Sequence, residues 1–310
     1  MKLKGKFSIH LAAILVCALL FTSQLTTANA QEEIIVGEAN WPGIRAKNAV
    51  FQTIVENIGY EVDSTSGADV MIQQGVARGD IDVHLDVWMP VREQEIEAIR
   101  DQIEIVATNM DEGIYTLAVL DHTSKEGITS HADLNEHADK FDHTIYVGEP
   151  GWSAYGIMET AVEDDIYNLG DWELQTSSEP AMMSAVERAH ENEDWIVFAG
   201  WRPHWMDHTF DITFLDDPNN LWKSPEDRAI TIARLDFAKD HPEIHQFLTQ
   251  FKIDVEYNSQ WIYEIGRKER DPDQMAKDWI TNNWNIVEKW LEGVESSNGK
   301  PAFEVLRKNL

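Results

Sequence analysis

Four tryptophans stand where strands give way to loops: Trp41, Trp88, Trp152 and Trp201. Each lies within two residues of a turn-former, respectively Pro42, Pro90, Gly151 and Gly200. A core tryptophan sits on the apolar face of its element, which is the reading for Trp261 and Trp284. An indole at a loop mouth exposes its ring unless something covers it. A quaternary ammonium has a spread positive charge, an apolar shell and no N–H donor. It is held best by π-faces, each contributing about 1–2 kcal/mol once desolvated. Three or four such faces supply micromolar affinity even after ordering costs. Sugars stack on one or two rings and need many hydrogen-bonding side chains, so they fit this set less well.

A ligand that also carries a carboxylate needs donors. His204 and Arg202 lie in Trp201-Arg202-Pro203-His204-Trp205, although Arg202 reads more simply as a surface residue. The backbone N–H groups of Gly43 and Ile44 open a helix whose free donors and positive dipole end would point at the ligand. Glu149, beside Gly151-Trp152, is a candidate for a charged or hydroxyl end. Its other reading is a solvated loop acid.

Enzyme signatures are absent or malformed. Gly151-Trp152-Ser153-Ala154-Tyr155-Gly156 has its second glycine one position late for a nucleophile elbow. His204 and His208 have the i, i+4 spacing of a zinc helix, but the position for the catalytic Glu holds Trp205 and the segment contains Pro203. His131, His137 and His143 are spaced by six and do not share a helix face. Asp216-Asp217 before Pro218 reads as a solvated turn. With no P-loop and no dinucleotide fingerprint, no catalytic residue, metal or cofactor is expected.

The elements that must position these residues follow from periodicity. Ile34–Val36 is a buried strand, and Ala46–Ile58 an amphipathic helix with apolar residues at 46, 50, 51, 54, 55 and 58. A second strand starts at Tyr60–Val62, a helix runs over Met71–Arg78, and Ile81–Trp88 alternates as a strand. The α/β pattern recurs in strand Thr144–Val147, helices Ala154–Val162 and Pro180–His190, and strand Trp195–Ala199. A loop is expected over Gly200–Trp205. The chain from Glu226 reads as mostly helical. Two similar α/β units with aromatic residues just after strands place a ligand at the carboxyl ends of the strands.

The ends and the composition set the compartment. Lys2, Lys4 and Lys6 precede an apolar run from Ile9 to Phe21, and Thr26–Ala30 ends in an Ala-x-Ala pattern. This is a secretory signal with cleavage expected after Ala30, and the run is short for a membrane anchor. Cys17, the only cysteine, lies inside that signal after Val16, which argues against a lipoprotein. The remainder, without cysteine, has neither disulfide nor thiol chemistry. It holds 22 Lys+Arg against 55 Asp+Glu, a formal charge of −33. That field repels nucleic acid and anionic membranes. It keeps the chain soluble first and favours cations second. About 280 residues suggest two lobes.

Gly79-Asp80-Ile81-Asp82, Leu85-Asp86-Val87-Trp88-Met89-Pro90, Pro150-Gly151-Trp152, Pro180-Ala181-Met182-Met183 and Gly200-Trp201-Arg202-Pro203-His204-Trp205-Met206 occur in that order, followed by Phe214-Leu215-Asp216-Asp217-Pro218. In this combination the chain resembles the glycine betaine-binding family of ABC-transporter solute receptors. The resemblance implies an α/β, two-lobed periplasmic-binding-protein fold (type II), with the ligand in the inter-lobe cleft and hinge-like closure. It divides the chain into a signal over 1–30, one lobe of 31–117 and 221–310, and another of 118–220. It implies an indole prism of Trp88, Trp152 and Trp201 around a methylated ammonium, with His204, Gly43 and Ile44 at a carboxylate. Trp41 adds a fourth wall, as in receptors for choline and trimethylamine N-oxide; for the latter Glu149 would face the oxide end. A periplasmic monomer that hands its ligand to an inner-membrane permease is expected. A cleft esterase or amidase is the alternative from another class.

Overall fold

The computed structural model describes residues 33–223 and 227–310. The export signal read over 1–30 lies outside them. The β-branched run after Glu33 forms β1 (Ile34–Ala39), which pairs in parallel with β2 (Val62–Gly67) and β3 (Val83–Met89). Between them run helices α1 (Pro42–Asn57) and α2 (Asp69–Arg78). α1 starts four residues earlier than its apolar stripe because Pro42 takes the first turn, where a missing N–H costs nothing. α2 stops at Gly79, which supplies the left-handed φ of 79°. After helix α3 (Glu93–Ile99), β4 (Ile103–Met110) closes one edge. The first sheet is completed by β10 (Arg228–Arg234), in the order β2-β1-β3-β10-β4.

The second sheet repeats this plan. β6 (Thr144–Val147) pairs in parallel with β7 (Glu173–Thr176) and β8 (Val197–Arg202). Helices α4 (Ser153–Glu163) and α5 (Glu179–Asn192) connect them. β5 (Ile114–Leu120) runs antiparallel between β8 and β9 (Ile212–Phe214), giving the order β7-β6-β8-β5-β9. In each sheet the antiparallel strand is supplied by chain arriving from the other sheet.

Three differences from the expected layout matter. The chain leaves the first sheet after Met110 and enters the second at Ile114, so residues 114–117 pair with the second sheet rather than the first. The marker was the Asp111-Glu112-Gly113 turn; the run Ile114–Leu120 carries no punctuation at 117. The tail read as mostly helical opens with β10. Its core, Ala229–Ala233, is buried on both faces, so it shows no polar alternation. Gly200–Arg202, expected in a loop, instead ends β8.

The remaining tail matches the helical reading: α6 (Pro242–Gln250), α7 (Val255–Ile262), α8 (Pro272–Asn282), α9 (Trp284–Trp290) and α10 (Ala302–Asn309). Ile244, Phe247, Phe251, Trp261, Ile280, Trp290 and Leu306 pack with α1's Val50, Phe51 and Ile54 into the largest core. Each such large side chain contributes about 1.5–3 kcal/mol by leaving water. The second sheet has separate cores around Leu117, Ile145 and Val197 and around Met182, Phe198 and Met206. Among the described residues no helix is long and apolar enough to cross a membrane.

Candidate ligand-binding site

The repeated plan puts the four singled-out indoles at matching places. Trp41 and Trp152 are the N-caps of α1 and α4, the helices that follow the matching strands β1 and β6. Trp88 and Trp201 are the penultimate residues of β3 and β8, each followed by a cis X–Pro bond, Met89–Pro90 and Arg202–Pro203. All four are partly buried. The rings of Trp41 and Trp88 meet edge-on with centroids 6.4 Å apart, and those of Trp152 and Trp201 at 5.5 Å. Trp41, Trp152 and Trp201 border one core that also holds Trp205 and Met206. The two pairs are thus parts of one aromatic group.

Glycine seats three of the rings. A Cβ on Gly43 would lie 1.9 Å from Trp41, one on Gly148 2.1 Å from Trp152, and one on Gly113 2.6 Å from Trp88. No side chain other than hydrogen lets these indoles lie so close to the backbone. Gly113 also donates its N–H to the carbonyl of Asp227 at 3.0 Å, so the two crossings between sheets touch beside Trp88.

Behind the first pair sits a buried ion pair. Asp86 Oδ2 accepts both indole N–H groups, from Trp41 at 2.9 Å and from Trp88 at 3.2 Å. Its Oδ1 accepts from Lys47 Nζ at 2.6 Å, and neither charged side chain is exposed. Lys47 uses its remaining donors on Leu85 O and Asn109 Oδ1, and Asn109 donates to Leu85 O and Thr231 Oγ1. Every member therefore has partners, which a buried charge requires.

The second pair is held differently. Tyr115 stands opposite Trp201 in the β5–β8 ladder, and their rings meet edge-on at 6.4 Å. Its hydroxyl accepts the N–H of Ala154 at 3.1 Å, tying the start of α4 to β5. Burial pushes the phenol up to about 12. Trp222, from the segment leading back to the first sheet, packs edge-on against Tyr115 at 5.0 Å.

The other candidates fall in varied surroundings. Gly43 and Ile44 are buried in the first turn of α1, which has no side-chain cap. His204 is fully buried, with its ring 4.5 Å from that of Trp201. Its Nδ1 accepts the N–H of Met206 at 3.2 Å, which leaves the proton on Nε2, and that proton goes to Glu179 at 3.0 Å. In this arrangement His204 has no free N–H for a ligand carboxylate. Arg202 donates to Asp207 at 2.8 Å, a carboxyl that burial raises above its usual range. Glu149 is exposed; its carbonyl accepts from Gly151 and Trp152 and so shapes the turn. Asp217, read as a solvated acid, has a side chain only 6% exposed that accepts from the Tyr167 hydroxyl and the backbone N–H of Trp222.

Sequence reasoning passed over Tyr115, Asp86, Lys47 and Glu179. Asp86 and Trp88 share one side of β3 by their i, i+2 spacing, and Lys47 lies on the α1 stripe with Val50 and Phe51. Those spacings were the available signal.

Contacts also join the two units away from the rings. Arg267 pairs with Glu187 and its guanidinium lies 5.4 Å from the Trp205 ring centroid. Ser259 Oγ donates to Asp207 at 3.4 Å, and Tyr263 lies 6.1 Å from His208.

Two sheets of matching order, joined by two crossings and carrying paired indoles at equivalent strand ends, define a two-lobed solute-binding protein. Residues 32–282 match the family described as the substrate binding domain of the ABC-type glycine betaine transport system, and the chain belongs to that family. It is 37% identical over 188 residues to the glycine betaine/carnitine transport binding protein GbuC of Listeria monocytogenes; the match covers 60% of each chain. Among solved structures it is similar to an ABC-transporter choline binding protein in complex with choline. That likeness has a TM-score of 0.79 and 28% identity, and covers 90% of this chain and 98% of that one. It is also similar to lactococcal OpuAC in its closed-liganded conformation with glycine betaine, with a TM-score of 0.74 and 26% identity over 84% of this chain and 99% of that one.

Proposed function

We propose that this chain is an extracytoplasmic receptor of an ABC importer. It closes two lobes over one methylated-ammonium osmolyte, glycine betaine or a close relative, and delivers it to a membrane permease without chemical change. Trp41, Trp88, Trp152 and Trp201 form the box around the ammonium, with Tyr115 beside Trp201. The amides of Gly43 and Ile44 face the ligand's polar end, and Glu149 lies at the rim. A single observation carries this reading: two edge-on indole pairs occupy equivalent places in the two units. Bound ligand contacts both lobes, so its affinity for the closed state exceeds that for the open one. In Trp88→Ala, Trp152→Ala and Trp201→Ala, calorimetry should show binding weakened about tenfold or more with the fold unchanged, the loss of one desolvated cation–π face. Unchanged affinity in all three would end the box.

A second reading, a hydroxyl-ended ammonium such as choline, is favoured by His204, whose N–H is given to Glu179. Titration of His204→Ala with both ligands separates the two. A loss confined to glycine betaine assigns His204 to the carboxylate. Equal losses make it a support for Trp201 and leave the ligand's polar end to the amides of Gly43 and Ile44.

A further inference from the structure

The Asp86–Lys47 pair lies behind the site and needs a reason to exist. Well-packed apolar residues can replace a buried ion pair without loss of stability, so the fold alone does not call for it. What an apolar replacement lacks is an acceptor for two indole N–H groups at once. Asp86 is 2% exposed and takes both on one oxygen, while Lys47 holds the other. That fixes the Trp41 and Trp88 rings at an interplanar angle of 64°. A hydrogen bond to an ionised acceptor is the strong kind, and it pushes electron density from the N–H toward the ring. An indole face made more negative attracts a cation more strongly and leaves its contact with an uncharged group of the same shape unchanged. Lys47, which holds the carboxylate, Asn109, which accepts from Lys47, and Thr231, which accepts from Asn109, come from α1, β4 and β10, all of the first unit. The support of the carboxylate is therefore built within one lobe.

We propose that Asp86, held by Lys47, is a positioning and polarising residue for the first-lobe half of the box. It sets the angle of Trp41 and Trp88 and makes the site select a methylated ammonium over its uncharged carbon counterpart. This rests on the reading of the site as an ammonium box.

Two altered proteins test it. Lys47→Gln combined with Asp86→Asn removes both charges and keeps donors and acceptors. Replacing Trp88 with benzothienylalanine keeps the ring's shape and the ion pair and exchanges the donating N–H for sulfur, so it serves if the double variant does not fold. Each is titrated calorimetrically with choline, glycine betaine and their counterparts bearing tert-butyl in place of trimethylammonium. Weak counterparts are read by competition. The preference for ammonium over tert-butyl should shrink about fivefold or more, with tert-butyl affinity moving less than about threefold, as expected for weakened cation–π attraction. Parallel losses for both classes would make Asp86 a packing residue only and overturn the proposal, as would an unchanged preference. If the unaltered protein binds neither ammonium compound, the box reading fails first and this one falls with it.

Discussion

Residue types that stand out by place were legible, and those that stand out only by partner were not. Trp41, Trp88, Trp152 and Trp201 could be singled out because large aromatics beside turn-formers are conspicuous. Tyr115 reads as core because Ile114–Leu120 is an unbroken apolar run, and Asp86 reads as one polar beat in an alternating strand. Only pairing in three dimensions shows that Tyr115 faces Trp201 and that Asp86 takes two indole protons. His131 gives a prediction at this scale. It is fully buried, shares a hydrogen bond with Thr116, and lies 3.7 Å from Asp217. Burial lowers its pKa to about 4, although Asp217 and Asp216 pull the other way. A free histidine titrates near 6.5, so between those values the folded state holds fewer protons than the unfolded one. The stability contributed by neutral His131 is therefore complete above about pH 6.5 and is lost as the pH falls toward 4. Melting temperatures of the unaltered protein and His131→Gln, measured from pH 7 to 4, should converge as the pH falls. Asp207, raised by burial, acts with the opposite sign but equally in both proteins. A constant gap would contradict the assignment.

At the scale of elements, the periodic segments were readable and the crossing strands were not. α1, α2, α4 and α5 were found from their stripes, and β6 was found to the residue. β10 was missed because a central strand covered on both faces has no period of two, and its pairing with β3 and β4 joins residues more than a hundred positions apart. The glycine seats belong to this scale, since each lets a ring lie on the backbone where an element begins or ends. Gly148→Ala would put a methyl 2.1 Å from the Trp152 ring, whereas a Cβ on Gly156 in α4 meets nothing within 4 Å. Gly148→Ala should therefore weaken ligand binding about tenfold by displacing one wall. Gly156→Ala should keep full affinity and gain up to about 1 kcal/mol of stability in the helix. Thermal melts and titrations of both variants check this, and equal affinity in the two would remove the seat from the argument.

At the scale of the molecule, the two-lobed plan was legible from recurring strand–helix units and from the family resemblance. The boundary between lobes was less so, because each sheet borrows its antiparallel strand from chain crossing over. The formal charge of −30 favours the approach of cations. Its reach is only about 8 Å at physiological ionic strength, so it acts on a cation only close to the surface. The Arg267–Glu187 pair between the lobes is partly exposed and contributes at most about 1 kcal/mol. The most direct measurement is a calorimetric titration of the unaltered protein with glycine betaine, choline, carnitine, trimethylamine N-oxide and dimethylsulfoniopropionate. The expected result is saturable one-to-one binding of at least one trimethylammonium compound with a Kd in the micromolar range or below, near −8 kcal/mol. Absence of binding by every member of the panel would contradict the aromatic box and the function built on it.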